Sequence, residues 1–152
     1  MKVVIQRVTS ARVLVGEETT GAVADGVLVL LGVLRGDTEA DAERLAERVV
    51  RFRIFRDEEG RMNRSAVECG AAVLVVSQFT LAADGRKGRR PSFDRAAPPE
   101  QAEVLYERFI ARVRELGLQT ATGRFGALMR VELVNDGPVT FVLEEPPGGL
   151  RV

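Results

Sequence analysis

Val27-Leu28-Val29-Leu30-Leu31-Gly32-Val33 is an apolar run with no polar residue to mark a wet face. A strand that shows one face to water alternates, whereas a run like this reads as a strand covered on both faces, at the centre of a sheet. Upstream, residues 3–15 read as one long strand or two joined by a bend. A glycine-containing turn at 16–21 then leads into a strand over 23–33. Downstream, Asp37-Thr38 supplies a helix N-cap, and Glu39 and Asp41 place negative charge in the first turn, where the helix dipole favours it. This helix runs to Phe52, puts Leu45, Val49 and Phe52 on one face, and pairs Glu47 with Arg51 four residues on.

Ile54-Phe55 reads as a short strand, followed by a turn at Asp57-Glu58-Glu59-Gly60. A second apolar strand covers 71–79 and ends in the polar groups of Ser77-Gln78-Phe79-Thr80, the end of a strand where α/β proteins tend to carry chemistry. Residues 82–98 form a loop of a length that is usually functional or disordered. Pro98-Pro99 opens a second helix and Gly117 closes it, with Ala102, Leu105, Tyr106, Phe109, Ile110, Val113 and Leu116 on the buried face. Two strands, 128–134 and 139–143, follow, joined by Asn135-Asp136-Gly137-Pro138. A single domain over 1–145 and a loose Pro/Gly tail over 146–152 complete the reading.

Composition removes several kinds of chemistry. The chain has 152 residues, 45% apolar and 29% charged, the profile of one ordinary globular domain. It has no histidine and one cysteine, so the usual zinc sites, Ser-His-Asp and Cys-His catalysis, and any imidazole base are excluded. No metal and no cofactor is expected. Cys69 cannot make an internal disulfide, no apolar run approaches the roughly 18 residues of a membrane span, and the start lacks a signal peptide's pattern. A cytoplasmic location and no membrane partner are the expectation. The 22 basic and 22 acidic residues cancel, so any polyanion must be met by a local patch.

Three segments could carry chemistry. In Ser77-Gln78-Phe79-Thr80 the hydroxyls and the amide are candidates for nucleophile, water positioning or oxyanion donation, or they cap the loop and tie down backbone. A threonine hydroxyl without a nearby base is a poor nucleophile. Backbone N–H groups of Phe79 and Thr80 could form an oxyanion hole, worth about 3 kcal/mol per donor. Arg86-Lys87-Gly88-Arg89-Arg90 concentrates four positive charges in five residues, either to meet RNA phosphates or as a solvated loop partnered by nearby acids. Asn135-Asp136-Gly137-Pro138 is a plain hairpin turn by its first three residues. The proline adds the option of a cis bond, which would present two adjacent carbonyls in a fixed geometry with no side chain to rearrange.

In this order the segments resemble the D-aminoacyl-tRNA deacylases, also called D-tyrosyl-tRNA deacylases. Ile5-Gln6-Arg7-Val8-Thr9-Ser10-Ala11 matches the family's start. Val76-Ser77-Gln78-Phe79-Thr80-Leu81 and Leu133-Val134-Asn135-Asp136-Gly137-Pro138-Val139-Thr140 match its two signatures, and Arg86-Lys87-Gly88-Arg89-Arg90-Pro91-Ser92-Phe93 matches its basic loop. The resemblance spans 1–143. Ala82, Gly85 and the Pro/Gly tail depart from the family pattern.

The resemblance implies an α/β subunit, a single domain of mixed, half-barrel-like β-sheets carrying two main α-helices, assembled as a homodimer. It implies hydrolysis of the ester joining a D-amino acid to the 3′ end of tRNA, at a site around Ser77 to Thr80 of one subunit. Gly137-Pro138, with a cis bond, would reach in from the other subunit, braced by Arg7, and Met129 would lie near the aminoacyl-adenosine. Taken singly, Arg7 reads as a surface residue and Met129 as core. Aminoacyl-tRNA is the expected partner, through Arg86, Lys87, Arg89 and Arg90, and DNA is not. A rigid Gly-Pro wall would exclude the side chain of an L-residue by clash and accept glycine. Water would be activated with help from the terminal 2′-OH, with Thr80 as covalent nucleophile the rival. A non-catalytic RNA-binding module and a small-molecule-binding oligomer are the alternatives from other classes.

Overall fold

The computed structural model describes residues 1–149. Its spine is β1 (Lys2–Val15). β2 (Glu18–Val23) returns antiparallel along the second half of β1, and β3 (Gly26–Gly32) runs antiparallel along the first half, from Val8 opposite Gly26 to Lys2 opposite Gly32. The expected strand over 23–33 is therefore two strands. Only Gly16 and Glu17 form the first turn, and the second break falls at Ala24-Asp25. β2 has mostly polar or small residues and buries only Val23, so it left no apolar pattern to read.

α1 (Glu39–Arg51) starts as expected. The Thr38 hydroxyl accepts from the Asp41 N–H at 3.3 Å, and the Asp41 carboxylate accepts from the Thr38 N–H at 2.8 Å. β4 (Phe55–Arg56) and β5 (Met62–Arg64) form a small hairpin around the 57–60 turn. α2 (Ala66–Cys69), a single turn closed by a Ser65–Glu68 capping box, is too short to show a helical period. β6 (Ala72–Ser77) lies parallel to β3, with Leu28 opposite Leu74 and Leu31 opposite Ser77. The chain leaves β6 as a 3-10 turn over Phe79–Ala82, so the strand expected to reach 79 stops at Ser77.

α3 (Pro99–Glu115) packs against α1, and β7 (Thr120–Thr122) adds a parallel edge to β6. Glu47 does not pair with Arg51; it meets Arg112 of α3, as Glu43 meets Arg108 at 2.8 Å. Two packed helices bring these charges together, whereas spacing along one helix sees only its own turn.

Both faces of the sheet are covered. Val3, Ile5, Val27, Val29, Leu31, Val73 and Val75 face the helices. Val8, Ala11, Val13, Val23, Leu28, Leu74 and Val76 face inward, with half-buried Met129, Val131 and Leu133 against them. This two-sided burial explains the continuous apolar runs. The sheet curls until β2 approaches β7. A Cβ built on Gly21 would lie 2.3 Å from the Thr122 carbonyl oxygen, and the Thr20 hydroxyl donates to that same oxygen at 3.5 Å. The result is a single mixed α/β domain around a nearly closed half-barrel, with two main helices on its outside.

The last strand overturns the expected hairpin. β8 (Arg130–Glu144) is one strand, antiparallel to β1 along its whole length. Asn135 sits opposite Val8 and Thr140 opposite Gln6, so residues 136–139 swell outward between two paired stretches. Their turn chemistry builds a bulge inside a strand instead of reversing the chain. Past β8 the chain makes further contacts with the domain. The Glu145 N–H donates to the Met1 carbonyl at 2.8 Å, and the Gly148 N–H donates to the Asp41 carboxylate at 3.0 Å. Residues 150–152 lie outside the described part of the chain. Among the described residues no helix is long and apolar enough to cross a membrane.

Candidate active site

β6 delivers Ser77 and Gln78 to the rim of the half-barrel, where the Gln78 N–H donates to the Leu31 carbonyl at 2.7 Å. The 3-10 turn begins there. The Leu81 and Ala83 N–H groups close it onto the Gln78 and Thr80 carbonyls at 3.2 and 3.0 Å. The first N–H groups of a helical turn have no partner within it, so those of Phe79 and Thr80 remain available. The Gln78 amide donates to the Thr80 hydroxyl oxygen. That contact occupies an acceptor on Thr80 and supplies no base to take its proton.

Beside this turn lies a cavity of about 760 Å³. Ser77, Gln78, Phe79 and Met129 all line it, together with Val33, Phe93, Phe125 and Pro98. The Phe79 and Phe93 rings stand 5.1 Å apart at the mouth. Sequence reasoning missed the wall made by Phe125, Gly126 and Ala127, because an irregular stretch before β8 carries no period. Phe93 ends the basic-loop stretch, where the run of charges draws the reading and the ring does not. Among the described residues Arg35 is the only charged one on the lining, and no carboxylate, cysteine or tyrosine is present there. Thr80, Gly137 and Pro138 do not line the cavity of their own chain.

The Gly137-Pro138 bond is cis, and both residues are exposed at the crest of the β8 bulge. The bulge is held from beneath. The Asn135 side-chain oxygen accepts from the Val139 N–H at 2.7 Å, and its NH₂ donates to the Val139 carbonyl at 3.1 Å. Arg7 is buried, not on the surface as its isolated reading suggests. Its Nε donates to the Asp136 carbonyl at 3.3 Å and lies 3.0 Å from Asp136 Oδ2. Its Nη1 donates to the Ile54 carbonyl at 2.7 Å. Gly137 has φ +138, and a Cβ there would sit 2.6 Å from Val139 Cγ2, so the crest admits no side chain.

The basic loop is a closed finger. Asp84 and Ser92 exchange backbone hydrogen bonds at 2.8 and 2.9 Å. The Arg86 guanidinium grips the Asp84 carboxylate with contacts of 2.6 to 3.0 Å. That grip holds the Asp84 carboxyl well below the usual carboxylate range, at about 2. Arg86 is thus committed inside the loop, and Lys87, Arg89 and Arg90 are exposed without such a partner among the described residues.

Residues 4–144 match the D-Tyr-tRNA(Tyr) deacylase family. A D-aminoacyl-tRNA deacylase of Symbiobacterium thermophilum is 60% identical over 144 residues, 95% of each chain. That of Geobacter metallireducens is 60% identical over 146 residues, covering 96% of this chain and 97% of the relative. Among solved structures, a c-Myc DNA unwinding element binding protein superposes with TM-score 0.90 at 42% identity, covering 96% of this chain and 99% of that one. A structure described as a probable eukaryotic D-amino acid tRNA deacylase shares the fold, with TM-score 0.81 at 21% identity over 93% and 97% of the two chains.

Proposed function

The chain belongs to the D-Tyr-tRNA(Tyr) deacylase family, hydrolases of the ester between a D-amino acid and tRNA, and we propose that it clears D-aminoacyl and glycyl esters in the cytoplasm without a protein base. One observation carries the mechanistic part: the cavity wall at Ser77 to Phe79 has no group able to take a proton at neutral pH. The 3′-terminal adenosine enters this cavity beside Met129 and Phe93. The N–H groups of Phe79 and Thr80 receive the developing oxyanion, worth about 3 kcal/mol per donor. The substrate's own 2′-OH assists the attacking water. Thr80 positions and does not attack, in keeping with a hydroxyl whose recorded partner is the Gln78 amide.

Handedness is read by the Gly137-Pro138 crest of a second subunit. The crest is backbone without side-chain freedom, tethered through Asp136 to Arg7, which suits it to rejecting whichever substituent points at it. An L-residue directs its side chain there, a D-residue directs hydrogen, and glycine has nothing to reject. Assembly as a homodimer is supported by β8. Among the described residues it pairs on one side only, exposes Val134 and Val142 on either side of the crest, and so offers a long unpaired edge of the kind that recruits another chain. Lys87, Arg89 and Arg90 meet the tRNA backbone.

Purified protein incubated with D-tyrosyl-, L-tyrosyl-, L-alanyl- and glycyl-tRNA tests the proposal. Release of D-tyrosine and glycine with L-tyrosyl-tRNA intact is the expected result. Efficient cleavage of L-alanyl-tRNA would remove the wall, and binding without any release would leave an RNA-binding module.

A further inference from the structure

Among the described residues Arg35, exposed at the rim, is the one charged side chain on a cavity lining that is apolar apart from Ser77 and Gln78. It follows Leu34, which bridges to Ala96, and the Arg35 N–H donates to the Arg95 carbonyl at 2.9 Å. The stretch carrying Arg35 is therefore pinned to the chain that leads out of the basic finger. The side chain is pinned as well: its Nε donates to the Asp94 carbonyl at 2.6 Å. That bond uses the inner edge of the guanidinium. The two terminal nitrogens have no carboxylate partner among the described residues, whereas Arg7, Arg44, Arg86, Arg108 and Arg112 are all paired.

A cation held in one orientation at the edge of an apolar cavity, with its outer fork open, suits a ligand that is planar and apolar at one end and anionic at the other. The 3′-terminal nucleotide of tRNA has that form: a base and ribose, with a phosphodiester on the 5′ oxygen. We propose that Arg35 binds the phosphate on the 5′ side of the terminal adenosine and so fixes how far the nucleotide enters the cavity. Arg35 is a binding and positioning residue and takes no part in the bond-breaking step. The exposed cations of the 84–92 finger then follow the preceding backbone, and Arg35 joins that electrostatic track to the aromatic mouth formed by Phe79 and Phe93.

This rests on the deacylase reading, so the test uses two substrates that differ only in the phosphate: 3′-O-D-tyrosyl-adenosine and its 5′-monophosphate. For the wild-type protein, the phosphate lowers KM about ten-fold, as one charge-assisted contact predicts. Arg35→Ala abolishes that difference by raising KM for the phosphorylated ester alone, Arg35→Lys keeps part of it, and the salt dependence of tRNA binding falls by about one unit of slope. An equal loss on both esters, or a phosphate effect that survives in Arg35→Ala, overturns the inference. Failure of the wild-type protein to cleave D-tyrosyl-tRNA would overturn the deacylase reading instead. Direct binding of AMP and adenosine to both proteins reads the phosphate preference without turnover, and wild-type protein that binds the two equally also overturns the inference.

Discussion

Arg7 on β1 reaches Asp136 on β8 twice through one nitrogen, with Nε 3.3 Å from the Asp136 carbonyl oxygen and 3.0 Å from its carboxylate. The same guanidinium donates to the Ile54 carbonyl at 2.7 Å, so it ties the base of the Gly137-Pro138 crest to the start of the β4–β5 hairpin. Arg7→Ala should lose about 1.5–3 kcal/mol, because it deletes charge-assisted bonds at a buried position and leaves Asp136 to the more distant Arg56, 3.8 Å away. It should also raise the ratio of L-alanyl- to D-alanyl-tRNA cleavage, since the crest is no longer held. Urea unfolding and the two-substrate assay measure these separately. A destabilised variant with unchanged discrimination would confine Arg7 to the fold.

Thr80→Ala distinguishes two mechanisms. A covalent nucleophile is worth roughly 10⁴-fold or more in kcat. A hydroxyl that only partners the Gln78 amide is worth less than about ten-fold. The small loss is expected in single-turnover hydrolysis of D-tyrosyl-tRNA, with no burst of an acyl-enzyme.

The four cations of the finger are not equivalent. Arg89→Ala with Arg90→Ala should reduce the salt slope of tRNA binding by about two. Arg86→Ala should change the slope less and the loop more, because Arg86 is already gripping Asp84. Equal slopes for the single Arg86→Ala and Arg89→Ala variants would contradict that division of roles.

The same pair predicts an acid-sensitive loop. The folded Asp84 carboxyl sits at about 2, below its ordinary value of 3.8. A depressed carboxyl stabilises the folded loop fully above the unfolded value, and this contribution is lost as pH falls from 3.8 towards about 2. Limited proteolysis of the 84–92 segment should therefore accelerate across that window in the wild type. Asp84→Asn should be cut at a rate that does not follow pH there.

Much of this arrangement was legible in the chain. The run at 27–33 announced a strand covered on both sides, the run at 71–79 a second apolar strand that the structure ends at Ser77, and Thr38 with Asp41 announced α1. Failures came where the decisive partner is distant in sequence. Glu47 finds Arg112 because two helices pack, and nothing within α1 encodes that. Asn135-Asp136-Gly137 has hairpin chemistry, yet β1 pairs with residues on both sides of it and holds the strand on course. Ser77, Gln78 and Phe79 were found because polar groups ending an apolar strand stand out. The Phe125 to Ala127 wall and Arg35 were not found, because only the curl of the sheet brings them to the same cavity.

That curl closes where β2 meets β7, and Gly21 sits at the seam. An added Cβ would lie 2.3 Å from the Thr122 carbonyl oxygen and 2.9 Å from the Thr122 nitrogen, both main-chain atoms that cannot rotate away. Gly21→Ala should therefore cost about 1–3 kcal/mol through overpacking and force β2 off β7. β7 leads directly into Gly123, whose N–H donates to the Val75 carbonyl at 3.1 Å, and then into the Phe125 to Met129 wall of the cavity. Opening the seam should thus raise KM for D-tyrosyl-tRNA as well as lower the melting temperature. Gly16→Ala is the control. Its Cβ meets open space, but φ +59 is left-handed, so alanine costs roughly 1–2 kcal/mol of local strain in a turn that does not itself line the cavity. If the two variants lose similar stability and only Gly21→Ala loses substrate affinity, closure of the barrel is what shapes the site. Equal KM for both would mean that the wall stands without the seam.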